Sequence, residues 1–125
     1  MENTGFWIRS GALLAALAIV TGAFGAHGLQ GRLDPAMMSV YEKAVHYHAY
    51  HALGLFAVAF VLQSRPEARL AIWAGRLMLA GIVLFSGSLY ALSLTGLSWL
   101  GAVTPIGGLA FIAAWVMLFF SLPRS

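Results

Sequence analysis

Apolar residues in this chain fall into four long runs divided by short polar stretches. The first covers about residues 6–26 with Arg9 as its only charge, and the second about 44–62 with none. The third covers about 70–94, with Arg76 early enough to snorkel back to an interface, and the fourth about 100–122. A helix rises about 1.5 Å per residue and a hydrocarbon layer is roughly 30 Å thick, so each run can cross one. The pattern predicts an all-α fold, an integral membrane four-helix bundle made of a single transmembrane domain, residues 1–125.

The connections sharpen the boundaries. Gln30, Gly31 and Arg32 form a polar link, and Asp34-Pro35 then reads as an N-cap followed by proline at the first helical position. No helix breaker follows before Arg65-Pro66, which predicts a second helix of about 29 residues, or about 43 Å. That exceeds the hydrocarbon thickness, so its first turns are expected to extend beyond the bilayer. Residues 63–69 make a charged turn, whereas the link from Thr95 to Trp99 carries no charge. Pro105 falls near the start of the fourth run, where it frees a carbonyl that hydroxyls or close helices must satisfy. Gly22, Gly25 and Gly28, three apart, leave a bare stripe for close helix approach. The first run also resembles a cleavable signal peptide, but its removal would leave three spans and it is expected to stay.

Composition supports the membrane reading. The chain is 61% hydrophobic and 9% charged, against roughly 25% charged for soluble domains, too few to cover a globular surface. A net charge of +3 comes from scattered residues that form no basic stripe, so membrane lipid rather than nucleic acid is the expected partner. Arg9, Arg65, Arg69, Arg76 and Arg124 fall on one side, and Arg32 and Lys43 on the other, which predicts an N-in/C-in topology. The absence of cysteine excludes disulfides, thiolate metal sites and cysteine nucleophiles. Small-residue faces such as Gly75 and Gly81 are expected to lie unburied, open to homo-oligomers or a larger membrane complex.

Candidate chemistry concentrates at Tyr41–Leu53, which holds His46, His48, His51, Tyr41, Tyr47 and Tyr50 where a helix enters lipid. Polar, titratable groups there are costly unless satisfied. Helical spacing divides them into two faces, His48/His51/Tyr47 and Glu42/His46/Tyr50, only one of which can point inward. In the third run Ser86, Tyr90 and Ser93 share a face. The orientation puts these groups, His27 and Thr104 in the same outer half of the membrane. The candidate polar cluster is therefore His27, Tyr47, His48, His51, Ser86, Tyr90 and Thr104.

Several chemistries compete for it. The residues can serve only the structure, bonding backbone groups freed by glycine and proline. His27, His48 and His51, completed by Glu42 or Asp34, have the ligand types for zinc, copper or iron, although an i, i+3 histidine pair is a weak signal alone. A b-type haem held by His27 and a second-helix histidine fits a four-helix bundle, but no second paired set exists. A path for protons or a polar solute lacks continuation through the apolar inner half. Serine-hydrolase spacing, phosphate loops and HExxH are missing. The expectation is a structural or accessory membrane protein, not an enzyme and without a cofactor, with metal or small-molecule binding, including transport, as the alternative.

Four stretches have a family likeness. Gly22–Leu29, Tyr47–Leu53, Phe85–Tyr90 and Thr104–Gly108 together resemble, in the same order, the bacterial domain-of-unknown-function family numbered 423, whose animal relatives are called transmembrane protein 256. The resemblance covers nearly the whole chain. It implies a small four-span protein of the bacterial inner membrane, and it implies no activity.

Overall fold

The computed structural model describes residues 3–123, which form helices and short links, with no strand among them. Arg124, counted above in the charge balance, lies outside the described residues. Four helices are long and apolar enough to cross a membrane: α1 (Thr4–Leu29), α2 (Pro35–Ser64), α3 (Arg69–Thr95) and α4 (Ser98–Phe120). Local chemistry sets their ends. The Asn3 side chain accepts from the Phe6 N–H, and that of Asp34 from the Met37 N–H, both at 2.9 Å. Gly96, at φ +75°, closes α3 in the left-handed conformation and donates its N–H to the Leu92 carbonyl at 2.8 Å.

Two departures from regular α-helix were not anticipated. The last turn of α1, Gly25–Leu29, and the middle of α3, Ile82–Ser86, are π turns. Each admits an extra residue per turn, so the face presented after it is offset from the 3.6-residue pattern. The fourth run also differs from expectation. It opens with a 3₁₀ turn, Ser98–Ala102, and its α-helix starts only at Thr104. Pro105 therefore sits in the first turn, where its missing N–H costs nothing, rather than inside a helix needing compensation.

Short links make successive helices neighbours. α1 lies along α2, α2 against α3, and α3 against α4. The core joins Trp7 of α1, Leu55, Val58 and Leu62 of α2, Ala71, Ala74 and Met78 of α3, and Ala114 and Leu118 of α4. Lipid tails are as apolar as these side chains, so association depends on close packing and interhelical hydrogen bonds. Glycines supply the room. A Cβ on Gly75 would stand 2.6 Å from the Trp7 ring, and one on Gly81 would strike the Phe111 ring. Both glycines are buried, which corrects the expectation that they form an unburied face for self-association. Of the α1 stripe, only Gly25 seats a ring from another helix, that of Tyr41. Gly22 meets Val45 at ordinary contact, and Gly28 faces Phe24 of its own helix. At the other end, the Arg65 guanidinium donates to the Ser121 carbonyl and ties the α2–α3 link to the end of α4.

The tightest approach is backbone to backbone. A Cβ on Gly107 would collide with the Phe85 amide nitrogen and lie 2.8 Å from the Leu84 carbonyl carbon, in the π turn of α3. No rotamer change relieves such a clash. Gly107→Ala is expected to cost about 3 kcal/mol, the upper part of the overpacking range. Gly101→Ala meets nothing within 4 Å and is the control. Thermal unfolding of both variants in detergent checks this; equal midpoints would refute the close approach.

Candidate functional site

His48 and His51 are 4% and 3% exposed, while Glu42, His46 and Tyr50 lie on the outside of α2. The inward face is thus the one carrying the three-apart pair. The two rings nevertheless serve different helices.

His48 faces α1 and α3. Its Nδ1 is 2.8 Å from the Tyr90 hydroxyl, which is 3.0 Å from Thr21 Oγ1. Thr21 Oγ1 also stands 3.1 Å from the Ala18 carbonyl, and the Tyr41 hydroxyl donates to the Thr21 carbonyl at 2.5 Å. The buried His48 Nε2 has no hydrogen-bond partner among the described residues. Counting protons leaves two neutral arrangements. If Thr21 donates to Ala18, Tyr90 donates to Thr21 and His48 donates from Nδ1, leaving Nε2 as a bare acceptor. If Thr21 donates to Tyr90, Tyr90 donates to Nδ1 and the proton sits on Nε2. Either way a chain of side chains joins three helices.

His51 faces α4. Its Nδ1 is 2.8 Å from the Tyr47 carbonyl, which can only accept, so Nδ1 carries the proton. Nε2 is then a bare acceptor and receives the Trp115 indole N–H at 2.9 Å. Both ring nitrogens are occupied, and the ring is held in one tautomer and one orientation. It stacks on Phe111 with centroids 3.5 Å apart and planes 10° apart. Around this stack lies a cavity of about 560 Å³, lined by Tyr47, Tyr50 and His51 of α2, Phe85 of α3, and Gly108, Phe111, Ile112 and Trp115 of α4. Tyr50, Ile112 and Trp115 are exposed, so the cavity opens on the outer surface of the bundle.

The remaining sequence candidates are distributed. Tyr47 is exposed, unlike the two histidines that share its predicted face, and forms part of the cavity wall. Ser86, fully buried at the end of the α3 π turn, has no partner for its Oγ, and Ser93 bonds the Tyr90 carbonyl. Thr104 Oγ1 meets Ser88 Oγ at 2.6 Å, and Ser88 donates to the Phe85 carbonyl at 2.9 Å, which laces α4 to the π turn. His27 is exposed in the terminal turn of α1, apart from the α2 histidines. Among the described residues no three His, Asp or Glu side chains are grouped to hold a metal ion. Tyr41 belongs to the candidate stretch but not to the candidate cluster, and Thr21, Ser88, Phe111 and Trp115 were not expected at the site. The i, i+4 spacing of Phe111 and Trp115 was the one signal available for the last two.

Four helices able to cross a bilayer, with polar side chains turned inward, define a small polytopic membrane protein. A protein-family comparison places it further. The family described as "Protein of unknown function (DUF423)" matches residues 21–108, and the chain belongs to that family. The UPF0382 membrane protein YwdK of Bacillus subtilis is 55% identical over 112 residues, covering 90% of this chain and 91% of that protein. A UPF0382 membrane protein of Staphylococcus haemolyticus is 53% identical over 115 residues, covering 92% and 93%, respectively. No solved structure matches the chain.

Two outcomes test the hydrogen-bond assignments. Tyr90→Phe removes both interhelical bonds of the hydroxyl, each worth about 0.6 kcal/mol on average in membrane proteins, and should destabilise by about 1–2 kcal/mol. Tyr50→Phe should leave the unfolding midpoint unchanged. Nitrogen-15 spectra of the imidazoles should show His51 as the Nδ1–H tautomer, with Trp115→Phe shifting Nε2 alone; an Nε2–H tautomer would refute the assignment.

Proposed function

We propose that this is a small accessory membrane protein that holds an apolar small molecule in the cavity between α2, α3 and α4. One observation carries the reading: a volume of about 560 Å³, walled by six ring-bearing residues and by no formally charged residue, opening sideways from the bundle. Small-molecule sites typically occupy roughly 300–1,000 Å³ and combine apolar walls with a few placed polar groups. A mouth on the outside of four spans admits a guest dissolved in lipid. The His48 network serves the fold, fastening α1 to α2 and α3 so that the other flank of α2 stays open.

The proposed setting is the bacterial inner membrane, with both chain ends and the α2–α3 link inside, and the first turns of α2 beyond the bilayer on the outer side. The distribution of arginines supports this orientation. It puts the cavity toward the outer half of the membrane.

Gly108 allows a direct test of the cavity. A Cβ there meets the Phe85 ring at 3.8 Å, an ordinary contact, so Gly108→Leu plugs the cavity with little strain on the backbone. Native mass spectrometry of the protein released from mild detergent should show a bound small molecule in the wild type and none in Gly108→Leu. Identical spectra would overturn the reading. The chain has no cysteine, so single-cysteine variants report orientation cleanly. Gln30→Cys should react with an impermeant maleimide outside intact cells and Glu67→Cys should not; the reverse pattern would overturn the topology.

A further inference from the structure

We infer that the cavity takes a neutral, lipid-soluble planar ring bearing acceptor oxygens, the chemistry of an isoprenoid quinone; this rests on the reading that the cavity binds a small molecule. Three features of the walls select that class.

The first is ring orientation. His51 and Phe111 lie within 10° of parallel, and Tyr47 lies within 13° of His51 and 15° of Phe111. Three rings from two helices therefore share one plane direction. Tyr50 stands nearly upright to them, at 78° to Tyr47 and 83° to His51. A flat guest lying parallel to the three rings gains offset stacking, and the upright ring offers an edge-to-face contact. A flexible acyl chain gains neither.

Charge is the second. Aromatic walls also attract cations, but none of the eight lining residues is an acid that could neutralise one. An uncompensated charge at membrane depth costs about 2.5–3.5 kcal/mol even on the most lenient scales. The walls therefore favour a neutral guest.

The third is the inventory of free polar atoms. His51 and Trp115 use their ring nitrogens on the Tyr47 carbonyl and on each other, so neither has a nitrogen left for a guest. The hydroxyls of Tyr47 and Tyr50, on rings 6.5 Å apart, bond to no other described residue. They are the donors left for a guest, and a donor pair calls for acceptor oxygens on the ring. The exposed Ile112 marks the side by which an attached chain would leave into lipid.

The test titrates the full chain, held in nanodiscs, with a short-chain benzoquinone (decylubiquinone), with decanol, and with dodecyltrimethylammonium. Resonances of the tyrosine and His51 rings are followed. The quinone should give saturable shifts at Tyr47, Tyr50 and His51 that Gly108→Leu abolishes, with Tyr90 unmoved. Its affinity should exceed that of decanol and of the cation by about tenfold or more, and the double variant Tyr47→Phe/Tyr50→Phe should weaken it by about tenfold, read at His51. Decanol or the cation binding as well as the quinone, with Gly108→Leu still blocking, overturns the ring class and leaves the cavity reading standing. Unchanged quinone affinity in the double variant overturns the role of the hydroxyls. Shifts that Gly108→Leu does not alter, or no saturable shift with any probe, overturn both.

Discussion

Where α4 crosses α3, Gly107 rests directly on the peptide groups of Leu84 and Phe85, and much of the upper bundle follows from that contact. The π turn over Ile82–Ser86 pushes backbone outward, and only a residue without a side chain lets the next helix come so near. Once the backbones touch, Thr104 is within reach of Ser88, and their hydroxyls bond across the junction. The same approach carries Phe111, one turn beyond Gly107, over the face of His51, and Trp115, one turn further, to its Nε2. Phe85, displaced by the extra residue, becomes the wall between. A wider crossing would lose the stack, the indole hydrogen bond and the cavity together.

This dependence suits a protein that folds in lipid. Moving an apolar side chain from lipid to a helix interface gains little hydrophobic free energy, so the bundle must be held by fit. Trp7 in the notch of Gly75, Tyr41 at Gly25 and Phe111 at Gly81 are three such fits, each a large ring from one helix against a glycine of another. Hydrogen bonds add register to contact. The chain from Tyr41 through Thr21 and Tyr90 to His48 holds α1, α2 and α3 at one relative height, since a shift by one residue would separate every pair. The unpartnered Nε1 of Trp7, Nε2 of His48 and Oγ of Ser86 remain as the costs of this arrangement, about 1–3 kcal/mol each.

The features legible in the sequence were those set by local chemistry. Four apolar runs, the Asp34-Pro35 start of α2 and the division of its histidines between two faces follow from composition, capping and helical spacing; which face turns inward was set by the partners on α3 and α4. The two π turns were not legible, because an inserted residue leaves no mark in the apolar pattern of a helix surrounded by apolar neighbours. In α3, Ser88 rather than Ser86 finds a partner across the helices. Gly75 and Gly81 resembled an open face because a sequence shows the missing side chain and not the ring that fills its place. Partners on distant segments were hidden for the same reason. Nothing within α2 says that His48 will meet Tyr90 while His51, less than one turn away, meets Trp115.

That division changes what the histidines can do. Taken as a pair, they suggested ligands for a metal or stations for a proton, roles that need a free nitrogen pointing at a common space. His51 has no free nitrogen: its proton is committed to the Tyr47 carbonyl and its lone pair to the Trp115 indole. Fixing both leaves no nitrogen of the ring for a guest. The imidazole there behaves as an aromatic wall of set orientation, and the polar character of the site passes to Tyr47 and Tyr50. On the proposed reading such a site selects its guest by planarity and by the position of oxygen atoms, because the hydrogen bonds that hold its walls in place already occupy both nitrogens of His51.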